Sequence, residues 1–215
     1  MTNASPLPEF LVERYHTQKD AMSSETKARL QHLADEGQEP PAMVISCCDS
    51  RVHATALFGV EQGEFFMHRN IANFVPAADA TGENTGTAAA LEYAITALKV
   101  KHIVVMGHSK CGGVKGYHDM CKGEAPGLED EASFVGRWIR HLAPALERIG
   151  GVEAGREDRD LEKAGVMQSL DNLMTYSFVR DGVEGGTLSL HGLWMDISDG
   201  SLEGLNPATG AFEAI

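Results

Sequence analysis

The sequence predicts an α/β fold: a mainly parallel central sheet of about four strands with an antiparallel edge strand, flanked by helices. Two short apolar runs, AMVISC at 42–47 and the β-branched HIVVMG at 102–107, read as buried strands. The second passes through a turn into the helix-like GGVKGYHDM, and a later alternating run, TLSLHGLWMDI at 187–197, follows a long helical stretch. Strands that alternate with helices join through right-handed crossovers into a parallel sheet covered on both faces.

Taken in order, 8–20 and 24–36 are charged, amphipathic and helix-like, with Ser23 or Ser24 as cap of the second and Gly37 as its stop. They form a helical arm, 1–36, of what reads as a single domain over 1–215. Pro40-Pro41 leads into the first strand, and FFMHRN at 65–70 follows a glycine-containing loop as the second. After the loop VPAADATGEN, the segment 85–100 places Leu91, Ala94, Ile95 and Leu98 at helical spacing with small residues opposite, which predicts a closely packed helix. Amphipathic helices are expected over 131–148 and 157–180, the second turning Val166, Leu170, Leu173, Met174 and Phe178 inward. Loops are expected at 123–131 and 150–160, and DGSLEGLNPATG surrounds one short edge strand.

With 215 residues and 43% hydrophobic content the chain can bury one sizeable core. A net charge of −13 leaves no electrostatic footprint for phosphate backbones or anionic membranes, so nucleic-acid and membrane partners are excluded. The N-terminus lacks a basic region followed by an apolar stretch, and no run approaches a membrane span, so a soluble, cytoplasmic protein is expected. Four cysteines are too few for a disulfide scaffold in a chain this long and point to metal binding or catalysis.

In parallel sheets ligands gather at the carboxyl ends of the strands. Cys47 closes the first apolar strand there, and His108 directly follows the strand that ends at Gly107. GHSKCGGV, 107–114, sets a histidine and a cysteine three apart on a strand-to-helix turn, with Gly112-Gly113 leaving amide N–H groups at a helix start. A C-x-D pair and an H-x-x-C pair together amount to a divided zinc site. On spacing alone a second reading stands beside it, a satisfied core histidine next to buried cysteines. If the first strand stays extended, positions 47, 49 and 51 point together and Cys48 points away as a small buried apolar residue.

The blocks CCDSR at 47–51, HRNIAN at 68–73, GTAAALEYA at 86–94 and GHSKCGG at 107–113, in this order, resemble the β-class carbonic anhydrases. The resemblance runs from Gln38 to the GLWMDISDG segment at 192–200 and is weakest in the first helices and from the 120s to the 150s. It implies one zinc per subunit on Cys47, His108 and Cys111, with Asp49 and Arg51 as a catalytic dyad. Gln38, Phe66, Tyr93 and the Gly112 amide would line the pocket for carbon dioxide and bicarbonate, partly from a partner subunit. The implied activity is zinc-dependent reversible hydration of carbon dioxide to bicarbonate and a proton. The implied assembly is a homodimer or dimer of dimers, with the N-terminal helices reaching the partner.

Two thiolates cancel the formal charge of the metal, so Asp49 would have to orient the attacking hydroxide. Arg51 would hold Asp49 by two charge-assisted hydrogen bonds and keep it off the fourth zinc position, which either a water or Asp49 takes. The bicarbonate-inhibited subclass is marked by a tryptophan and a tyrosine where this chain has Val44 and Met195, so an open zinc without that switch is expected. His53, His68 and His118 are proton-shuttle candidates by composition alone, Cys121 is expected as a helix-end or loop thiol, and Arg69 and Asn70 as bonding loops and the subunit interface. Competing classes are a closed, non-catalytic zinc module, a related zinc hydrolase such as a carbon disulfide hydrolase, and a thiol redox protein, which the missing C-x-x-C disfavours.

Overall fold

Ser23 does cap a helix: its side chain accepts the Thr26 N–H at the start of α2 (Ser24–Glu36), and Gly37, with φ of 89°, ends it. α1 (Glu9–Ala21) precedes it, and neither helix buries a residue. The structure is a computed structural model that describes residues 3–78, 85–152 and 157–215. The loops expected at 75–84 and 150–160 therefore lie partly outside the described residues, at 79–84 and 153–156. The chain divides into two units, Met1–Gln38 and Glu39–Ile215.

The second unit is built on a six-stranded sheet. Its strands are β1 (Ala42–Cys47), β2 (Phe65–Asn70), β3 (His102–His108), β4 (Ser189–Met195), β5 (Leu202–Asn206) and β6 (Ala211–Ala214), in the spatial order β2-β1-β3-β4-β5-β6. The first four are parallel, as the sequence predicts. The edge holds two antiparallel strands rather than one, because the turn after Asn206 folds the last residues back onto β5.

Between the strands run α3 (Ala54–Phe58), α4 (Thr85–Glu92), α5 (Gly112–Cys121), α6 (Pro126–Glu129), α7 (Phe134–Ile139), α8 (Ala143–Arg148), α9 (Asp158–Leu173) and α10 (Ser177–Glu184). The helix expected over 85–100 changes to π geometry at Tyr93–Ala97, with Leu98 N–H donating to Tyr93 O. The helix expected over 157–180 breaks at 174–176. Tyr176 leaves helical geometry there and donates its hydroxyl to Pro76 O, while Asn172 Nδ2 donates to Val75 O. Local amphipathicity could not reveal those anchors to a loop 97 to 100 residues away.

One sheet face packs Met43, Ile45, Ile103 and Val105 against Leu91, Val166, Leu173 and Val179, all fully buried. The other carries Val44, Met106 and Met195 beneath Val52 and Ala54. A third cluster gathers Cys47, Cys111, Phe74, Ile139, Leu142 and Leu161 at the carboxyl ends of the strands. α9 lies close over the sheet because glycines face it: a Cβ on Gly107 would stand 2.7 Å from Val166 Cγ2 and one on Gly192 3.0 Å from Val166 Cγ1.

Candidate metal centre

β1 and β3 are neighbours in parallel register, with Ser46 opposite Met106, so their carboxyl ends deliver Cys47 and His108 side by side. Lys110 then reverses the chain with φ of 56°, a conformation uncommon outside glycine, and Cys111 arrives as the N-cap of α5. The Cys47 and Cys111 sulfurs are 4.0 Å apart. With a His108 ring nitrogen they form a buried group whose ligand atoms all lie within 4.8 Å of one another, an arrangement that could hold a metal ion.

Two observations fit that donor set to zinc. His108 Nδ1 lies 2.9 Å from Ser109 O, which can only accept, so the ring proton sits on Nδ1. Nε2 is buried without a hydrogen-bond partner, the state expected of a ligand atom aimed at a cation. The thiols add the second. Cys111 beside Cys47 holds the Cys47 thiol down at about 4, and the same shared proton, with burial, pushes Cys111 up. The pair thus releases one proton readily, and a divalent cation would displace the other. The Gly113 and Val114 backbone amides at the start of α5 act against that rise and favour the Cys111 thiolate.

Asp49 and Arg51 do meet, but not through strand alternation. β1 ends at Cys47, and the chain enters a turn closed by Val52 N–H donating to Asp49 O at 3.0 Å. Within it Arg51 donates its backbone N–H and Nε to Asp49 Oδ1, each at 2.9 Å, and Nη2 to Oδ2 at 2.6 Å. Arg51 beside it holds the Asp49 carboxyl well below the usual carboxylate range. Arg69 clamps the turn from β2, donating to Cys47 O, Asp49 O and Val52 O at 2.8 to 2.9 Å, which is the loop-bonding role expected of it.

The expectation for Cys48 is corrected. β1 ends at Cys47 as expected, but the alternation does not run on through the following turn: Cys48 is exposed rather than packed, and it lines a cavity of about 360 Å³ with His68, Asn70, Ile71, Thr87 and Trp138. His68, one of the proton-shuttle candidates, is on that wall, its Nε2 3.1 Å from Thr87 Oγ1, and burial lowers its pKa. His118 is buried on α5 with Nδ1 2.6 Å from Asp158 Oδ1, His53 is the exposed N-cap of α3, and Cys121 is the exposed last residue of α5.

Phe66 and Tyr93 come together with ring centroids 5.8 Å apart. They do not join the cysteine-histidine group of their own chain: Phe66 pairs with Met43, four residues before Cys47, about 13 Å back along the strand. Gly112 opens α5, so its N–H has no acceptor within the helix. Gln38 is the last residue of the first unit. Missed from the sequence was Glu162, buried on α9 and accepting the Cys111 N–H at 3.0 Å. Its signal was available, since a step of four residues back from the inward Val166 reaches an acid on the apolar stripe.

Residues 42–202 match the family model described as carbonic anhydrase. β carbonic anhydrase 3 of Arabidopsis thaliana is 39% identical over 172 residues, covering 78% of this chain and 65% of that protein. The chain belongs to the β-carbonic anhydrase family. Mitochondrial β carbonic anhydrase 6 of the same plant is 38% identical, and the chain spans 57% of its length. Among solved structures, the family member CcaA superposes with a TM-score of 0.87 at 28% identity, over 96% of this chain and 91% of that one. A tetrameric β-carbonic anhydrase of Sordaria macrospora gives 0.71 at 27% identity, over 96% of this chain and all of the other. The parallel sheet with its antiparallel edge is thus the architecture of the family. No helix among the described residues is long and apolar enough to cross a membrane.

Proposed function

We propose that this protein catalyses the reversible hydration of carbon dioxide to bicarbonate and a proton, with one zinc per subunit on Cys47, His108 and Cys111. The observation that carries the reading is the buried ligand triangle, with His108 Nε2 left without a partner, beside a carboxylate already held by arginine. When bound, zinc would act as a Lewis acid that acidifies a water molecule and so supplies the nucleophile near neutral pH.

The chain's own residues do the rest. Asp49, kept ionised, accepts a hydrogen bond from the attacking water and turns its lone pair toward the carbon of the substrate. Arg51 restrains Asp49 from moving onto the metal, because to leave it would break two charge-assisted bonds and a backbone bond. That restraint favours an open catalytic centre over a closed structural one. The Gly112 N–H, without an acceptor inside α5, donates to an oxygen of substrate or product, and Gln38 is assigned the same task.

Phe66 stands four residues back along the sheet from the ligand group and Tyr93 packs on it from a helix, which supports their serving the site of a second subunit. The reading therefore includes a homodimer or dimer of dimers, as well as a cytoplasmic location. Zinc analysis with stopped-flow carbon dioxide hydration tests the activity, and light scattering tests the assembly. One zinc per chain with hydration far above the uncatalysed rate is expected, and zinc binding without hydration would reject catalysis in favour of a structural zinc module.

A further inference from the structure

Glu162 is 3% exposed, and among the described residues no lysine or arginine pairs with it. A lone buried carboxylate is costly unless its oxygens are satisfied. Here each oxygen takes one donor from a different element: Oε1 accepts the Cys111 backbone N–H at 3.0 Å, and Oε2 accepts Trp194 Nε1–H at 3.1 Å. An apolar side chain of equal size would strand both donors in the core.

The two donors differ in kind. Cys111 follows Lys110, whose left-handed backbone is strained, and its own N–H precedes the first turn of α5, where no helical acceptor exists. Glu162 supplies the missing acceptor and so fixes the Cys111 backbone at the head of α5, from which the sulfur projects. Trp194 is fully buried, and its ring is covered by the Arg159 guanidinium at 4.3 Å and the Lys163 ammonium at 4.7 Å. Both cations are tied to Glu203, at 2.6 and 2.5 Å. Surface ion pairs thus lock the indole plane, the indole locks one carboxylate oxygen, and the carboxylate's other oxygen locks Cys111.

We propose that Glu162, backed by Trp194, is a positioning residue that pre-sets the Cys111 sulfur for the metal, so that its loss shows first as faster metal release. The proposal rests on the zinc-site reading above and deepens it. Glu162→Gln replaces one acceptor oxygen by an N–H₂ donor, so the two donors compete for the single oxygen that remains and the Cys111 N–H is no longer held by an acceptor of its own.

The test measures zinc release from the full-length holo-protein into excess chelator, together with the thiolate-to-cobalt charge-transfer band of the Co(II)-substituted protein. Glu162→Gln is expected to accelerate release by about 10- to 100-fold, the range seen when partners behind a metal ligand are lost, and to alter the band. Trp194→Phe keeps an aromatic ring beneath the two cations but removes the donor. It should shift both readouts in the same direction by less, and it carries the test if Glu162→Gln does not fold. Leu173→Ala, on the same helix but without contact to this relay, is the control for general loosening. Release within threefold of the parent with an unaltered band overturns the proposal, as does equal acceleration in Leu173→Ala. A parent that takes up no zinc sinks the functional reading and this inference together. A zinc-loaded, active parent with an indifferent Glu162→Gln sinks this inference alone.

Discussion

Arg51 grips Asp49 from two residues away through three donors, one from its backbone and two from its guanidinium. A turn makes this geometry, since only a reversal brings the 51 amide back onto the 49 carboxylate while the side chain closes from the same direction. The pair is unequally exposed, with Asp49 at 16% and Arg51 at 52% of side-chain area. The arginine reaches in from solvent to hold an inward acid, and Nη2 also donates to Lys110 O, on the loop between His108 and Cys111.

Arg51→Ala removes that grip without touching a proposed ligand. Zinc content should stay at the parent level while kcat/KM falls about 100-fold, the scale typical of losing one pre-oriented electrostatic group. Metal analysis with stopped-flow kinetics checks this, and near-normal turnover in a zinc-replete variant would reject the dyad.

The same pair sets a pH dependence. Asp49 is depressed in the folded protein, so it contributes stability fully above its unfolded value of about 4 and loses it as pH falls toward the folded value. The gap in melting temperature between parent and Arg51→Ala should hold steady from pH 7 to about 4 and shrink below. A gap already closed at pH 5.5 would mean that the arginine does not stabilise the carboxylate.

Cys47 and Cys48 should separate cleanly. Cys47→Ser should lose zinc, to below about a tenth of the parent content, and melt at lower temperature, whereas Cys48→Ser should keep its metal. Thiol labelling of the native chain should favour Cys48 and Cys121 over the buried Cys47 and Cys111. The reverse zinc pattern would reassign the ligand.

Gly113 is pressed against the loop after β2. A Cβ there would lie 2.7 Å from Ile71 Cγ2, 3.1 Å from Ala72 Cβ and 3.3 Å from Ala72 N. Gly113→Ala should cost about 1 to 3 kcal/mol in stability and shift the head of α5. Chemical denaturation measures it, and an unchanged midpoint would show that the loop yields freely.

The sequence by itself determined the parallel strands and that Cys47, His108 and Cys111 gather at their carboxyl ends. Apolar runs of six residues and an H-x-x-C turn are local patterns, and parallel pairing brings the carboxyl ends of neighbouring strands together whatever lies between them. The end of β1 at Cys47 was local too, but the turn that follows it was not. Cys48 N–H donates to Asn70 O and Arg69 takes up three carbonyls of the following turn, contacts across about 20 residues that end the alternation and turn Cys48 outward. The break after α9 depended likewise on a loop about 100 residues earlier, and the burial of Glu162 on two donors from other elements. Periodicity reports which face of an element is apolar. Which polar groups must be satisfied inside, and by what, is decided only when distant segments are brought together, because an unpaired donor is costly only once water has been removed from it.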